Sequence, residues 1–280
     1  MSRPRLLDLF CGAGGASAGY HAAGFDVTGV DLVPQPHYPF PFIHADALTV
    51  DLSGFDVITA SPPCQRFSTA TPTHRRDDHP DLVDPIRHRL RDAVARGDAH
   101  AYVIENVPGA PLLDPITLCG DTLRLGVRRH RLFESNLTLH GTTCHHDRTT
   151  PAVPVYGSQG STTGRNPIDG EPSRTVQADT ARTAMGIDWM PWQRLTQAIP
   201  PTFTFWIGVQ LAAHTPGYPS VTEASWTLSP RLPLTEPTGA KRHCRCGTEL
   251  TRPATGRWPR HCSHRCRQAA FRARTKGQAA

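Results

Sequence analysis

Short apolar runs, each ending in a turn of Gly, Pro or a single acid, recur through the first half of this chain, and that recurrence restricts the fold more than any other feature. Arg5-Leu6-Leu7-Asp8-Leu9 runs into the turn Phe10-Cys11-Gly12-Ala13-Gly14-Gly15. Ala16 to Ala23 then has the small residues of a close-packed helix, and Asp26-Val27-Thr28-Gly29-Val30-Asp31 makes a second strand ending in an acid. Strand, glycine turn, helix and strand open a doubly wound α/β sheet. The pattern repeats at Phe55-Asp56-Val57-Ile58-Thr59-Ala60 before Pro62, and at Ala101-Tyr102-Val103-Ile104 before Glu105. Between these, Asp81 to Arg96 carries apolar residues at 82, 83, 86, 90 and 94, one face of a helix. The expected fold is a mainly parallel, Rossmann-like sheet whose ligands sit at the carboxyl ends of its strands.

The rest of the chain is organised differently. Beyond Phe133 the periodicity fades, and residues 136–180 are rich in Thr, Gly, Pro and His. A loop-rich segment of that length inside a compact domain is usually functional or disordered. Order returns with Ala184-Met185-Gly186-Ile187-Asp188-Trp189 and a helix from Thr202 to Ala213, opened by Pro200-Pro201. Residues 215–240, with Pro216, Pro219, Pro230, Pro233 and Pro237, have the composition of a linker. With 280 residues, 38% of them apolar, there is room for one large domain and a small module. No run of 18 apolar residues suggests a membrane span. Asp8 interrupts the first apolar run too early for a signal peptide. The expected location is the cytoplasm of a bacterium, or of a cell expressing a phage gene.

Charge and cysteine single out the C-terminal end. Residues 241–280 hold eleven Lys/Arg against Glu249, a net +10, while residues 1–240 hold nineteen against twenty-three, a net −4. A basic tail on a mildly acidic body points to a nucleic-acid contact made through the tail, where Arg267, Arg272 and Arg274 fall on an expected helix. Four of the eight cysteines cluster there as Cys244, Cys246, Cys262 and Cys266. In a reducing compartment such a cluster indicates a metal rather than disulfides. His261-Cys262-Ser263-x-x-Cys266-Arg267 resembles a small zinc-ribbon module, which implies one structural zinc. His243, three residues before Cys246, is an alternative to Cys244 as its fourth ligand. Cys11 and Cys119 have the character of packing residues. Cys144-His145-His146-Asp147 contains metal-ligand types, but its polar surroundings give it the character of a loop.

Three turns carry the chemistry. Glycines let backbone approach a ligand closely, and the helix that follows them offers unpaired N–H groups. Asp31 closes the next strand, where an acid suits ribose hydroxyls. Asp46 is placed either to contact an adenine or to cap a turn. In Pro62-Pro63-Cys64-Gln65 two prolines hold a thiol in a fixed direction at a strand end. The thiolate is the nucleophile, and with a reference pKa near 8.5 only about 3% of a thiol is ionised at pH 7, so activation is required. Glu105-Asn106-Val107 supplies the partner. Thiol addition to C6 of a pyrimidine drives negative charge towards N3, where a carboxyl group lowers the barrier, and burial can keep its proton by raising its pKa.

In these motifs the chain resembles the cytosine-C5 DNA methyltransferases, over roughly residues 5–135 and 182–212. Asp8 to Gly15 matches that family's cofactor motif, Pro62 to Gln65 its nucleophile motif and Glu105 to Val107 its acid motif. The family's Gln-x-Arg-x-Arg appears as Val127-Arg128-Arg129-His130-Arg131. Its late Gly-Asn-Ala-Val-Pro-Pro appears as Thr196-Gln197-Ala198-Ile199-Pro200-Pro201. The resemblance implies the fold of S-adenosylmethionine-dependent methyltransferases, with S-adenosylmethionine held by Asp8, Phe10, Gly12, Gly14, Gly15, Asp31, Asp46, Ala47 and Pro62. It implies Cys64, Glu105, Arg129 and Arg131 as catalytic residues, and duplex DNA with a flipped cytosine as substrate. By the same resemblance residues 1–135 and 181–214 form the catalytic domain and 136–180 a short target-recognition segment. Residues 215–240 remain a linker and 241–275 the basic zinc module, in an enzyme of the restriction-modification kind acting as a monomer. Two alternatives stay open, a transfer-RNA methyltransferase using the same motifs and a DNA-binding protein on a decayed scaffold. Intact Cys64, Glu105 and Arg129 favour an enzyme.

Overall fold

The computed structural model describes residues 3–144, 146, 152–157, 178–215, 242–243, 248–250, 262–263 and 266. The chain divides into two compact units, residues 1–234 and 235–280.

In the first unit the strands are β1 (Arg5–Leu9), β2 (Asp26–Asp31), β3 (Phe42–His44), β4 (Val57–Ala60), β5 (Ala101–Asn106), β6 (Ile116–Cys119) and β7 (His130–Ser135). The helices are α1 (Gly15–Ala22), α2 (Val83–Arg96), α3 (Ala178–Met185), α4 (Trp192–Leu195) and α5 (Pro201–His214). The strands form one sheet in the order β3-β2-β1-β4-β5-β7-β6. All pairs from β3 to β5 are parallel. β7 is antiparallel to both β5 and β6. From β1 the chain builds outward to β3 on one side, then crosses to β4 and β5 on the other. The reversal falls between β1 and β4, so a crevice opens beyond their carboxyl ends, where open α/β sheets bind ligands.

The apolar runs are continuous because both faces of the sheet are covered. Leu6 packs into the core that contains Tyr20 of α1 and Phe203 and Ile207 of α5. Leu7 and Leu9, pointing the other way, pack with Ile86 and Leu90 of α2. Helix α1 is made of small residues because α5 crosses it closely. A side chain at Gly19 would strike the Pro201 carbonyl and Thr204 Oγ1, and one at Gly208 would come within 2.6 Å of Ala23 Cβ. Thr204 Oγ1 donates to the Ala16 carbonyl at 2.8 Å across the same contact. Helix α2 ends at Gly97 in a left-handed conformation with φ 79°, and α5 begins with proline at its first turn.

Where periodicity fades in the sequence, the fold still adds β7, α3 and α4. β7 carries Glu134, buried at 2% exposure and paired with Arg87 of α2, whose Nε lies 2.8 Å from Oε1. Tyr102 Oη and the Leu113 N–H also donate to Glu134, so both of its oxygens are satisfied. Part of the segment 136–180 belongs to this unit, since Leu139 and Val155 lie in the core and the Val153 N–H donates to the Gly126 carbonyl at 2.7 Å. Among the described residues no helix is long and apolar enough to cross a membrane.

In the second unit β8 (Arg242–His243) pairs antiparallel with β9 (Glu249–Leu250). Cys262 Sγ lies 3.5 Å from Cys266 Sγ. Cys244 and Cys246, named above as metal ligands, lie outside the described residues.

Candidate active site

The crevice is built first by the turn after β1. Phe10, Gly12 and Gly14 all have positive φ, at 60°, 51° and 86°. Phe10 accepts a conformation that side chains disfavour, which marks the turn as held by its surroundings. A Cβ on Gly12 would meet nothing within 4 Å, so this glycine borders open space. Its N–H donates to Asp31 Oδ2 at 3.0 Å, and Asp31 Oδ1 accepts the Val33 N–H at 2.9 Å. Gly15 is glycine for another reason, since a Cβ there would lie 2.5 Å from the Ile199 carbonyl oxygen. The late Pro-Pro motif thus packs directly on the first turn. Trp189 Nε1 also reaches it, donating to the Ala13 carbonyl at 2.9 Å.

Asp8 lies beneath this turn and not in the crevice. It is 1% exposed, and its oxygens accept from Ser17 Oγ and, at 3.1 Å, from Thr59 Oγ1. Burial pushes its carboxyl up to about 6, with Asp31 adding to the rise against those two hydroxyls. Asp8 therefore couples β1 to α1 and β4. Asp46 is exposed, and its Oδ1 accepts the Leu48 N–H at 2.8 Å, the bond of a turn-forming aspartate. Ala47 is buried at 2% exposure.

The nucleophile turn follows β4. Pro62 is buried, and its carbonyl accepts from Asn106 Nδ2 at 3.1 Å. Asn106 closes β5, so its amide fastens the strand that carries Glu105 to the turn that carries Cys64. The Cys64 carbonyl accepts the N–H groups of Phe67 and Ser68, which closes the turn behind it. Cys64 is half-buried. Burial raises its thiol above the usual range, while the cations of Arg131 and Arg129 draw it down and the Glu105 charge opposes them.

Glu105 is 7% exposed, and Arg131 Nε stands 2.8 Å from its Oε1. No N–H is aligned on that oxygen, so the contact is an ion pair without a formed hydrogen bond. Burial pushes Glu105 up to about 7, against the pull of Arg131 and Arg129. Arg131 is one pleat along β7 from Phe133, the residue opposite Glu105, which is why the two side chains share a face. Arg129 donates to the carbonyls of Ala198 at 2.6 Å, Val155 at 2.8 Å and Thr196 at 3.3 Å. It ties the segment before α5 and the middle of the 152–157 stretch to the residue that precedes β7. Val127, where the family has Gln, is a core residue at 3% exposure. Gln197 is exposed.

The family model described as C-5 cytosine-specific DNA methylase matches residues 4–113, which contain the cofactor turn, the nucleophile turn and the acid. Over residues 4–113 the chain is therefore similar to the C-5 cytosine-specific DNA methylases. The chain is also similar to curated relatives. It is 32% identical over 116 residues to the type II methyltransferase M.AplI of Arthrospira platensis, covering 37% of this chain and 31% of that protein. It is 32% identical over 128 residues to M.XorII of Xanthomonas oryzae, covering 39% and 29%. The match thus spans about a third of the length of these relatives. Among solved structures, S. pombe Dnmt2 methyltransferase aligns with 75% of this chain and 98% of its own, at 14% identity and a TM-score of 0.49. The Entamoeba histolytica methyltransferase EhMeth aligns with 74% and 97%, at 11% identity and a TM-score of 0.47. Arg129 and Arg131 lie beyond the matched methylase region and are joined to it through Glu105 and the sheet.

The structure gathers Cys64, Glu105, Arg131, Pro62, Gly12 and Asp31 around the carboxyl ends of β1, β4 and β5. Asn106 and Trp189 hold this arrangement without being marked for it in the sequence. For Asn106 the available signal is its place in Glu-Asn-Val, next to the acid. For Trp189 there is none, because its partner is a carbonyl 176 residues away.

Proposed function

We propose that this protein is a DNA cytosine-C5 methyltransferase. The observation that carries the proposal is the Asn106–Pro62 bond, which sets the acid of one strand end against the nucleophile turn of the next, with Arg131 beside the acid. In the proposed reaction Cys64 Sγ bonds to C6 of a cytosine flipped from the duplex. Glu105, whose pKa of about 7 keeps a large fraction protonated near neutrality, hands its proton to N3 as charge builds there. S-adenosylmethionine, when bound, supplies the methyl group that C5 takes up. Loss of the C5 proton then expels Cys64 and restores the ring. Burial keeps Cys64 as a thiol in the free protein, so its ionisation belongs to the complex, with Arg131 favouring the thiolate.

The residues present fit the cofactor. Gly12 opens the crevice where any side chain would fill it, and Asp31 stands at the end of β2 beside it, held by two backbone N–H groups. Gly12, Gly14, Asp31 and the exposed face of Asp46 would hold it, with Ala47 and Pro62 beneath. Asp8 and Gly15 shape the turn from behind. Arg129 acts as a positioning residue, because its guanidinium is engaged by three backbone carbonyls. Residues 136–180 serve as the target-recognition segment and residues 241–275 as a zinc module that adds contact to the DNA backbone.

The test is methyl transfer from labelled S-adenosylmethionine to duplex DNA or to transfer RNA, run beside Cys64→Ala. Label on DNA that disappears in the variant supports the proposal. Label confined to RNA, or none on either despite DNA binding, sinks it.

A further inference from the structure

We propose that Cys119, His130, Cys144 and His146 form a zinc site, distinct from the cysteines of residues 244–266 and from the catalytic crevice. Their donor atoms all lie within 4.8 Å of one another. Cys119 Sγ is 3.3 Å from His146 Nε2, His130 Nε2 is 3.3 Å from Cys144 Sγ, and Cys144 Sγ is 3.0 Å from His146 Nε2. Zinc bound tetrahedrally by two thiolates and two imidazoles, with Zn–S about 2.3 Å and Zn–N about 2.0 Å, spaces its donors roughly 3.3 to 3.8 Å apart. The Cys119–His146 and His130–Cys144 spacings sit at the inner edge of that range, and the Cys144–His146 spacing of 3.0 Å is shorter, so a small outward shift of one side chain would admit the ion. Two sulfurs and two imidazole nitrogens select zinc over the oxygen-seeking cations.

Three pieces of chain assemble the four ligands, and two of the junctions form through the backbone. Cys119 ends β6 and His130 begins β7, and they are direct cross-strand partners, so their side chains leave the sheet on the same face. After β7 the chain returns along the outer edge of β6. The Thr142 N–H donates to the Thr117 carbonyl at 3.0 Å, and the Cys119 N–H donates to Thr142 Oγ1 at 3.1 Å. Thr122 Oγ1 donates to the Thr143 carbonyl at 2.6 Å. This close approach depends on Gly141, where a Cβ would stand 2.7 Å from the Thr117 carbonyl. These bonds deliver Cys144 and His146 to the hairpin without help from a metal. Cys119 is buried while Cys144 and His146 are exposed, which leaves the ion a way in.

The site has no part in the proposed reaction and stands independently of it. His130 lies between Arg129 and Arg131, and by strand alternation points away from the face that Arg131 shares with Glu105. A zinc ion there would fasten the first residue of β7, and with it the opening of segment 136–180, to the sheet edge.

The test uses the full chain with Cys244, Cys246, Cys262 and Cys266 replaced by Ser, which removes every cysteine of the tail. After dialysis against a weak chelator, elemental analysis is expected to find one zinc per chain, falling to none when C144S and H146A are added. Cobalt exchanged into the tail-substituted protein should show thiolate charge-transfer absorption and the strong visible bands of a tetrahedral site. That spectrum decides the matter even if the further substituted chain does not fold. Absence of both zinc and the tetrahedral spectrum, or zinc retained after C144S/H146A, would overturn the assignment.

Discussion

Asp8 and Glu105 stand on one face of the sheet, and burial raises both, from ordinary values of 3.8 and 4.5 to about 6 and about 7. Over that interval the folded chain binds more protons than the unfolded one. Their contribution to stability is therefore complete below about pH 4 and is lost as the pH rises through 6 to 7. A shift of about two units corresponds to roughly 3 kcal/mol for each group. Asp8→Asn is expected to flatten the decline between pH 4 and 6, read from urea midpoints across pH; an unchanged slope would show that Asp8 is not the group responsible. Glu105 gives a second, kinetic test. In the proposed reaction only molecules with Glu105 protonated and Cys64 ionised react, so kcat/KM should bend near pH 7 and again at higher pH where Cys64 titrates. In Glu105→Gln the amide can still bond N3 but has no proton to give, so kcat should fall by about 10²- to 10⁴-fold and the bend near 7 should vanish. A variant that keeps that bend would remove Glu105 from the acid role.

Packing between elements places these residues, and here the sequence is informative in some parts and silent in others. β1, β2, β4 and β5 were legible because strands buried on both faces need unbroken apolar runs, and α2 and α5 because an apolar face and an opening proline mark them. β7 was not, because His130, Arg131 and Glu134 look like a polar stretch until Glu105 and Arg87 are seen opposite them. Cys64 and Glu105 could be singled out from strand-end motifs, whereas the roles of Arg129 and Cys119 depend on partners distant in sequence. These partnerships are measurable. Glu134→Ala leaves the buried Arg87 with only the exposed Asp84 and the Pro111 carbonyl as partners, and should lower unfolding free energy by about 3 kcal/mol, the low end of what an uncompensated buried charge costs. Gly19→Ala improves intrinsic helix propensity by about 1 kcal/mol, yet puts a methyl against the Pro201 carbonyl and Thr204. Overpacking costs about 1–3 kcal/mol, so the expected net result in a urea titration is destabilisation. A more stable Gly19→Ala would mean that α1 and α5 can separate freely.

At the scale of the whole molecule, charge decides how such a protein meets a polyanion. Residues 1–240 carry −4, so their net charge gives no long-range attraction to DNA, and any must come from local patches or from the +10 of residues 241–280. Within the tail Arg267, Arg272 and Arg274 follow the last two cysteines in sequence. If each neutralises one phosphate, each contributes about 0.9 to the slope of log affinity against log salt concentration. Replacing all three with Ala should therefore reduce that slope by up to about 2.7 and weaken binding to unrelated duplexes alike, because phosphate contacts carry no sequence information. Affinity for S-adenosylmethionine should not change, since the residues proposed to hold it, Gly12, Gly14 and Asp31, all belong to the first unit. Fluorescence anisotropy over a salt series measures the slope, and calorimetry the cofactor. An unchanged slope would assign DNA affinity to the first unit, whose arginines would then have to gather on one surface despite its net negative charge.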